Sequence, residues 1–125
     1  MSKSRVLVVD DDPDVRSFLS VFLELEGFEV CTASNGAEAL SVAASRRPDV
    51  VLLDLMMPVM DGWTCCRHLR ANSHTRHVPI VIISASHDLD TELQESGACA
   101  YIAKPFDLDD LLDCLKVHGS TAIYN

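Results

Sequence analysis

Apolar residues along the chain fall into two alternating rhythms. Arg5–Val9 is a β-branched run that ends at three acids, too short for a helix, and it predicts a strand buried on both faces. Asp12 followed by Pro13 is a helix start, with a capping acid before proline at the first helical position. Val15, Phe18, Leu19, Phe22 and Leu23 then mark one helix face, which Gly27 ends. Phe28–Ala33 reads as a second strand. Asn35-Gly36 turns into an alanine-rich helix near Ala37–Ser45, and Pro48-Asp49 leads into strand Val50–Leu53.

The alternation continues to the far end. A loop from Pro58 to Gly62 precedes a helix over Trp63–Ala71, and Val78–Ser84 is a fourth strand with Pro79 at its edge. Leu89–Ser96 is a short, weakly apolar helix stopped by Gly97. Ala100–Ala103 is a short fifth strand, and Asp107 caps a helix carrying Leu108, Leu111, Leu112 and Leu115 on one face. Five strands alternating with five helices predict an α/β fold: a five-stranded parallel sheet, doubly wound by right-handed crossovers. Residues 1–117 are expected to form the domain, and 118–125 (HGSTAIYN) a tail or the stub of a linker.

Composition narrows the function. A chain of 125 residues fits one domain, and 48% hydrophobic residues supply its core. Ten Lys plus Arg against 19 Asp plus Glu leave a net charge of −9. That excess argues against direct nucleic-acid binding or an anionic membrane surface, either of which repels it. No apolar run reaches spanning length, and the N-terminus lacks a signal-peptide core, so no membrane insertion is expected. Cys31, Cys65, Cys66, Cys99 and Cys114 form an odd set without CxxC spacing, which suits a reduced, cytoplasmic protein.

The chemistry belongs outside the carboxyl ends of the strands, where open parallel sheets bind ligands. Strand one ends in Asp10, Asp11 and Asp12, strand three in Asp54, strand four in Ser84 and strand five in Lys104-Pro105. Acids at strand ends are ordinarily helix caps, and Asp12 is one. Asp54 is different: it lies between Val-Val-Leu-Leu and Leu-Met-Met-Pro, so it is nearly buried by context, and a buried carboxylate marks a site. Three crowded carboxylates repel unless a cation sits among them, and hard oxygen ligands at a wet edge suit Mg²⁺. Together with Lys104, such a metal makes an anion site that a phosphoryl group fits.

Four stretches carry a resemblance: VLVVDDDPDVR, DVVLLDLMMPVMDGW, PIVIISAS and AYIAKPF, in order over about residues 4 to 117. The chain resembles the CheY-like receiver domains of bacterial two-component response regulators, whose flavodoxin-like fold has three layers. The resemblance implies that Asp54 is the phosphoacceptor and that Asp10 and Asp11 hold Mg²⁺ (or Mn²⁺), with Asp54 and the backbone carbonyl of Met56. It further implies that the Ser84 hydroxyl binds a phosphoryl oxygen, that Lys104 pairs with the phosphoryl group, and that Pro105 follows a cis peptide bond. Tyr101 resembles the switch aromatic, and Pro58 and Gly62 match the loop after the phosphorylation site. The implied partners are a histidine kinase or phosphotransfer protein, and a downstream protein on the face built by the helix at 89–96, the strand at 100–103 and the last helix.

In that family Met56 and Ser86 border the water path that sets phosphoryl lifetime. Residues 87–117 carry eight acids and two lysines, and this acidic stretch coincides with the output face, so a basic partner is expected there. Residues 62–79 carry three arginines and no acid. His68, His74 and His77 lie near Cys65 and Cys66, but their spacing is unlike an established zinc site, and solvated histidines are expected. Cys66 is in phase with Trp63 and Leu69 and belongs to the core, whereas Cys65 is expected nearer the surface.

Alternatives separate on single residues. The chain fits equally a module of a hybrid kinase or of a longer regulator. Haloacid-dehalogenase-like phosphatases place a general acid two positions after their nucleophile, where this chain has Met56. Flavodoxin-type binding wants a Ser/Thr/Gly-rich loop after strand one, where three acids stand. A scaffold-only pseudo-receiver does not account for the set Asp10, Asp11, Asp54, Ser84 and Lys104.

Overall fold

The structure is a computed structural model, and it describes residues 3–57, 59–84, 97, 98 and 100–119. In chain order the elements are β1 (Arg5–Val9), α1 (Pro13–Leu25), β2 (Glu29–Ala33), α2 (Gly36–Arg46), β3 (Val50–Asp54), α3 (Gly62–Ala71), β4 (Ile80–Ser84), β5 (Ala100–Ala103) and α4 (Leu108–Gly119). The five strands pair in parallel in the order β2-β1-β3-β4-β5. The helix expected at Leu89–Ser96 lies outside the described residues.

Local chemistry sets the boundaries. The Asp12 side chain accepts from the Asp14 N–H at 2.9 Å, with Pro13 at the first turn of α1. Asn35 caps α2 by accepting from the Glu38 N–H at 2.8 Å, and a Glu38 carboxylate oxygen accepts from the Ser34 N–H at 3.0 Å. Asp61 caps α3 by accepting from the Thr64 N–H at 2.8 Å. β2 begins one residue later than expected, because the Phe28 N–H bonds the Leu23 carbonyl at the end of α1 instead of joining the ladder. β4 begins at Ile80, not Val78; Pro79 has no N–H to give the sheet, although its carbonyl accepts from Val51 at 2.9 Å. α4 runs through His118 and Gly119, so helix replaces the first two residues of the expected tail.

Alternation along the strands divides the core in two. Leu7, Val9, Val51, Leu53, Ile80 and Ile82 pack with Ala39 and Ala43 of α2 and with Cys65, Cys66 and Leu69 of α3. Val6, Val8, Val50, Leu52, Val81 and Ile83 pack with Leu19 and Leu23 of α1 and with Leu111, Leu112 and Leu115 of α4. Every β3 and β4 residue is buried, as a sheet covered on both faces requires.

Cys65 is as fully buried as Cys66, contrary to the expectation of exposure. Its sulfur lies 3.7 Å from the Gly36 carbonyl oxygen, where α3 meets α2, and burial pushes its thiol up to about 12. Past α3, the Thr75 hydroxyl is buried and donates to the Leu69 carbonyl at 2.6 Å. Arg70 donates to three carbonyls, of Gly97, Arg76 and Val78, and so ties the end of α3 to the approaches of β4 and β5.

Candidate functional site

The strand register assembles the site. β1 and β3 are aligned so that Val9 faces Leu53; one step further, Asp10 and Asp54 emerge side by side on the same face of the sheet. Asp54 closes β3 opposite Ile83, and Ser84 closes β4 opposite Ala103, one residue before Lys104. Four chain segments that are distant in sequence therefore end at one edge.

Asp10 and Asp54 are buried, at 3% and 5% exposure, while Asp11 is exposed. One oxygen from each of the three lies within 4.8 Å of the others. Asp10 Oδ1 accepts from the Asp12 N–H at 2.9 Å, and Asp54 Oδ1 accepts from the Met56 N–H at 3.2 Å. Lys104 Nζ stands 3.7 Å from Asp54 Oδ1, an ion-pair contact longer than a hydrogen bond. The Lys104–Pro105 peptide is cis. Arg16 reaches back from α1, its Nη1 donating to the Asp10 carbonyl oxygen at 2.7 Å.

Electrostatics follow from this crowding. Burial raises the Asp54 carboxyl above its ordinary value and the neighbouring Asp10 raises it further; Lys104 and the Met56 N–H pull against them. Burial likewise raises Asp10, against the Asp12 N–H and Lys104. Both groups resist ionising side by side, and a divalent cation relieves that penalty. The donor set is all oxygen with one member facing water, which fits Mg²⁺ better than a softer metal.

The loop after Asp54 is shaped by two residues. The Gly62 N–H donates to the Leu55 carbonyl at 2.9 Å, so the chain returns to its own starting point. A Cβ on Gly62 would lie 2.7 Å from Leu55 Cα and 2.8 Å from the Asp54 carbonyl oxygen, which is why a residue without one stands there. Val59, exposed in the loop, has a φ of +71°. Met56 is exposed, and Tyr101 is half-buried against the α2–α3 side of the core. Pro58 and Ser86 lie outside the described residues. His68, His74 and His77 are exposed, and among the described residues the three acids form the one cluster with metal-ligand spacing. Sequence reasoning did not single out Arg16; its signal was a lone base one helical turn after three consecutive acids.

A family profile described as the response regulator receiver domain matches residues 6–116. The chain belongs to that family. This receiver domain is similar to the transcriptional regulatory protein PrrA of Mycobacterium tuberculosis, 44% identical over 98% of this chain and 54% of PrrA. It is 47% identical to the response regulator PleD of Caulobacter vibrioides, over 94% of this chain and 26% of PleD. The chain thus spans about half or less of the length of these relatives. Among solved structures, the chemotaxis protein CheY4 of Vibrio cholerae superposes with a TM-score of 0.88 at 34% identity, covering 94% of this chain and 99% of that one. The receiver domain of a sensor histidine kinase from Pseudomonas aeruginosa superposes with a TM-score of 0.86 at 28% identity, covering 95% and 99%; that structure has a magnesium ion coordinated in its active-site cleft. Among the described residues no helix is long and apolar enough to cross a membrane.

Proposed function

We propose that this receiver domain accepts a phosphoryl group on Asp54 from a phosphohistidine of a partner kinase or phosphotransfer protein. The observation that carries this reading is the buried Asp54 carboxylate, 3.7 Å from the Lys104 amine and grouped with two further carboxylates. The Asp54 carboxylate attacks phosphorus, with the Lys104 amine beside its Oδ1. The bond from phosphorus to the donor imidazole nitrogen breaks as the bond to Asp54 forms. Lys104 pairs with the phosphoryl oxygens, and the Ser84 hydroxyl binds one of them. Asp10, Asp11, Asp54 and the Met56 carbonyl would hold Mg²⁺, which would supply the remaining charge neutralisation.

The donor must present its phosphoryl group beside Lys104, so its surface covers what adjoins that residue. There lies a groove of about 820 Å³ lined by Val15, Phe18, Leu19, Lys104, Pro105 and Phe106, with Phe18 56% exposed. An apolar surface of this kind next to the reacting edge supports a protein donor rather than a small phosphodonor as the natural one. After transfer, Ser84 and Tyr101 move together and bias the face built on β5 and α4. Asp107, Asp109, Asp110 and Asp113 are exposed there, which supports a downstream protein with a basic patch.

The partial coverage of its relatives supports a second reading, in which the chain is the receiver module of a multidomain regulator or hybrid kinase. The exposed Met56 two residues after Asp54 offers no general acid, which speaks against an Asp-nucleophile phosphatase. Incubation with acetyl phosphate, with and without Mg²⁺ and beside Asp54→Asn, tests the phosphoacceptor reading by intact mass. Gain of one phosphoryl mass only with Mg²⁺, and only when Asp54 is present, is expected; no Mg²⁺-dependent modification of the unmutated chain would sink it.

A further inference from the structure

The carboxylates of the acidic turn converge only if its backbone is held. The Asp10 N–H donates to the Ala33 carbonyl at 3.2 Å, which anchors the turn on the β2 side. The Asp12 N–H closes onto Asp10 Oδ1, and the Asp12 carbonyl accepts from the Arg16 N–H at 3.1 Å. The Arg16 guanidinium completes the set by donating to the Asp10 carbonyl oxygen at 2.7 Å from the α1 side. The Asp10 peptide is thus fixed at its N–H by β2 and at its carbonyl by α1.

A base beside three acids is usually an ion-pair partner. Arg16 is not used that way: among the described residues it makes no ion pair with Asp10, Asp11 or Asp54, while Lys104 does contact Asp54. Its guanidinium is directed at the main chain, which leaves the carboxylates open to a cation. We infer that Arg16 is a positioning residue for the divalent-cation site, orienting Asp10 and Asp11 through the Asp10 carbonyl. This inference rests on the reading that those carboxylates hold Mg²⁺.

Two physical effects of removing Arg16 have opposite signs. Losing a positive charge near the site favours a cation and tightens binding. Losing the tether lets the turn relax and weakens binding, by about tenfold if it behaves like other outer partners of metal ligands. The sign of the change therefore separates positioning from simple charge.

The test is Mg²⁺ titration by calorimetry of the unmutated chain, Arg16→Met and Arg16→Lys, well below the melting temperature of each and with metal-free circular dichroism as a check on folding. About tenfold weaker binding by Arg16→Met is expected, with Arg16→Lys in between because it keeps the charge but only a single-point donor. Unchanged or tighter binding by Arg16→Met overturns the inference. If Arg16→Met does not fold, the lysine variant decides at equal charge: weaker binding supports positioning, and equal binding overturns it. Failure of the unmutated chain to bind Mg²⁺ would instead overturn the metal reading, and the inference with it.

Discussion

Gly62→Ala is the sharpest test of how the fold holds the site. At the start of a helix this change ordinarily helps, since alanine exceeds glycine in helix propensity by up to about 1 kcal/mol. Here the added Cβ meets Leu55 Cα at 2.7 Å and the Asp54 carbonyl oxygen at 2.8 Å. Carbon atoms pack best at about 3.5–4.0 Å, so α3 and the end of β3 must separate by roughly 1 Å. Both obstructing atoms are backbone and cannot rotate away. Overpacking costs about 1–3 kcal/mol; two backbone contacts this close put Gly62→Ala at about 2–3 kcal/mol, which leaves a net loss of roughly 1–2 kcal/mol after a propensity gain of about 1 kcal/mol. For a chain of this length that lowers the melting temperature by about 3–8 °C. Urea unfolding followed by circular dichroism measures the loss, and Mg²⁺ titration reports whether Asp54 has moved with its carbonyl. Gly36→Ala is the comparison: its Cβ would meet Met60 Cβ and Sδ at 2.9 Å, and while the sulfur can swing away the Cβ moves only with its backbone, so a loss of stability is expected there too, but without displacement of Asp54. A Gly62→Ala protein as stable as the unmutated chain, or more so, would refute the close-approach argument.

Two further predictions concern the same edge. Asp10 and Asp54 bind their protons more tightly folded than unfolded, so between the ordinary value of 3.8 and the raised folded value stability falls as pH rises. Asp10→Asn keeps an oxygen for the Asp12 N–H but removes a charge; it should raise the metal-free melting temperature at neutral pH, with the gain shrinking as pH falls through the raised folded value and gone below the ordinary carboxyl value of 3.8. A gain that persists unchanged in acid would show that ionisation is not its source. Val59 holds a left-handed φ of +71° that a β-branched residue adopts at a cost of about 1–2 kcal/mol, whereas glycine's entropic penalty is roughly 0.5–1 kcal/mol. Val59→Gly should therefore stabilise the protein by up to about 1 kcal/mol in urea unfolding. Destabilisation would mean that the exposed side chain makes contacts that outweigh the relief.

The alternation of apolar runs by itself determined the parallel doubly wound sheet, because strands buried on both faces and amphipathic helices leave few other arrangements. Asp12 was legible as a helix start from local chemistry alone, whereas the capping by Asn35, read as part of a turn, and by Asp61, read as part of a loop, emerged only from the structure. Asp54 was legible too, as a charge set in an apolar run. Boundaries shifted wherever a backbone group found a partner outside its element, as Phe28 does with Leu23. Tertiary structure alone decided what depends on register and approach. It aligned Asp10 with Asp54 through the Val9–Leu53 pairing, brought Lys104 to 3.7 Å and pressed α3 onto the Asp54 carbonyl. Cys65 was misread and Arg16 passed over for one reason. Their partners, the Gly36 and Asp10 carbonyls, are backbone atoms, and a sequence shows the type of every side chain but not which main-chain oxygen will face it.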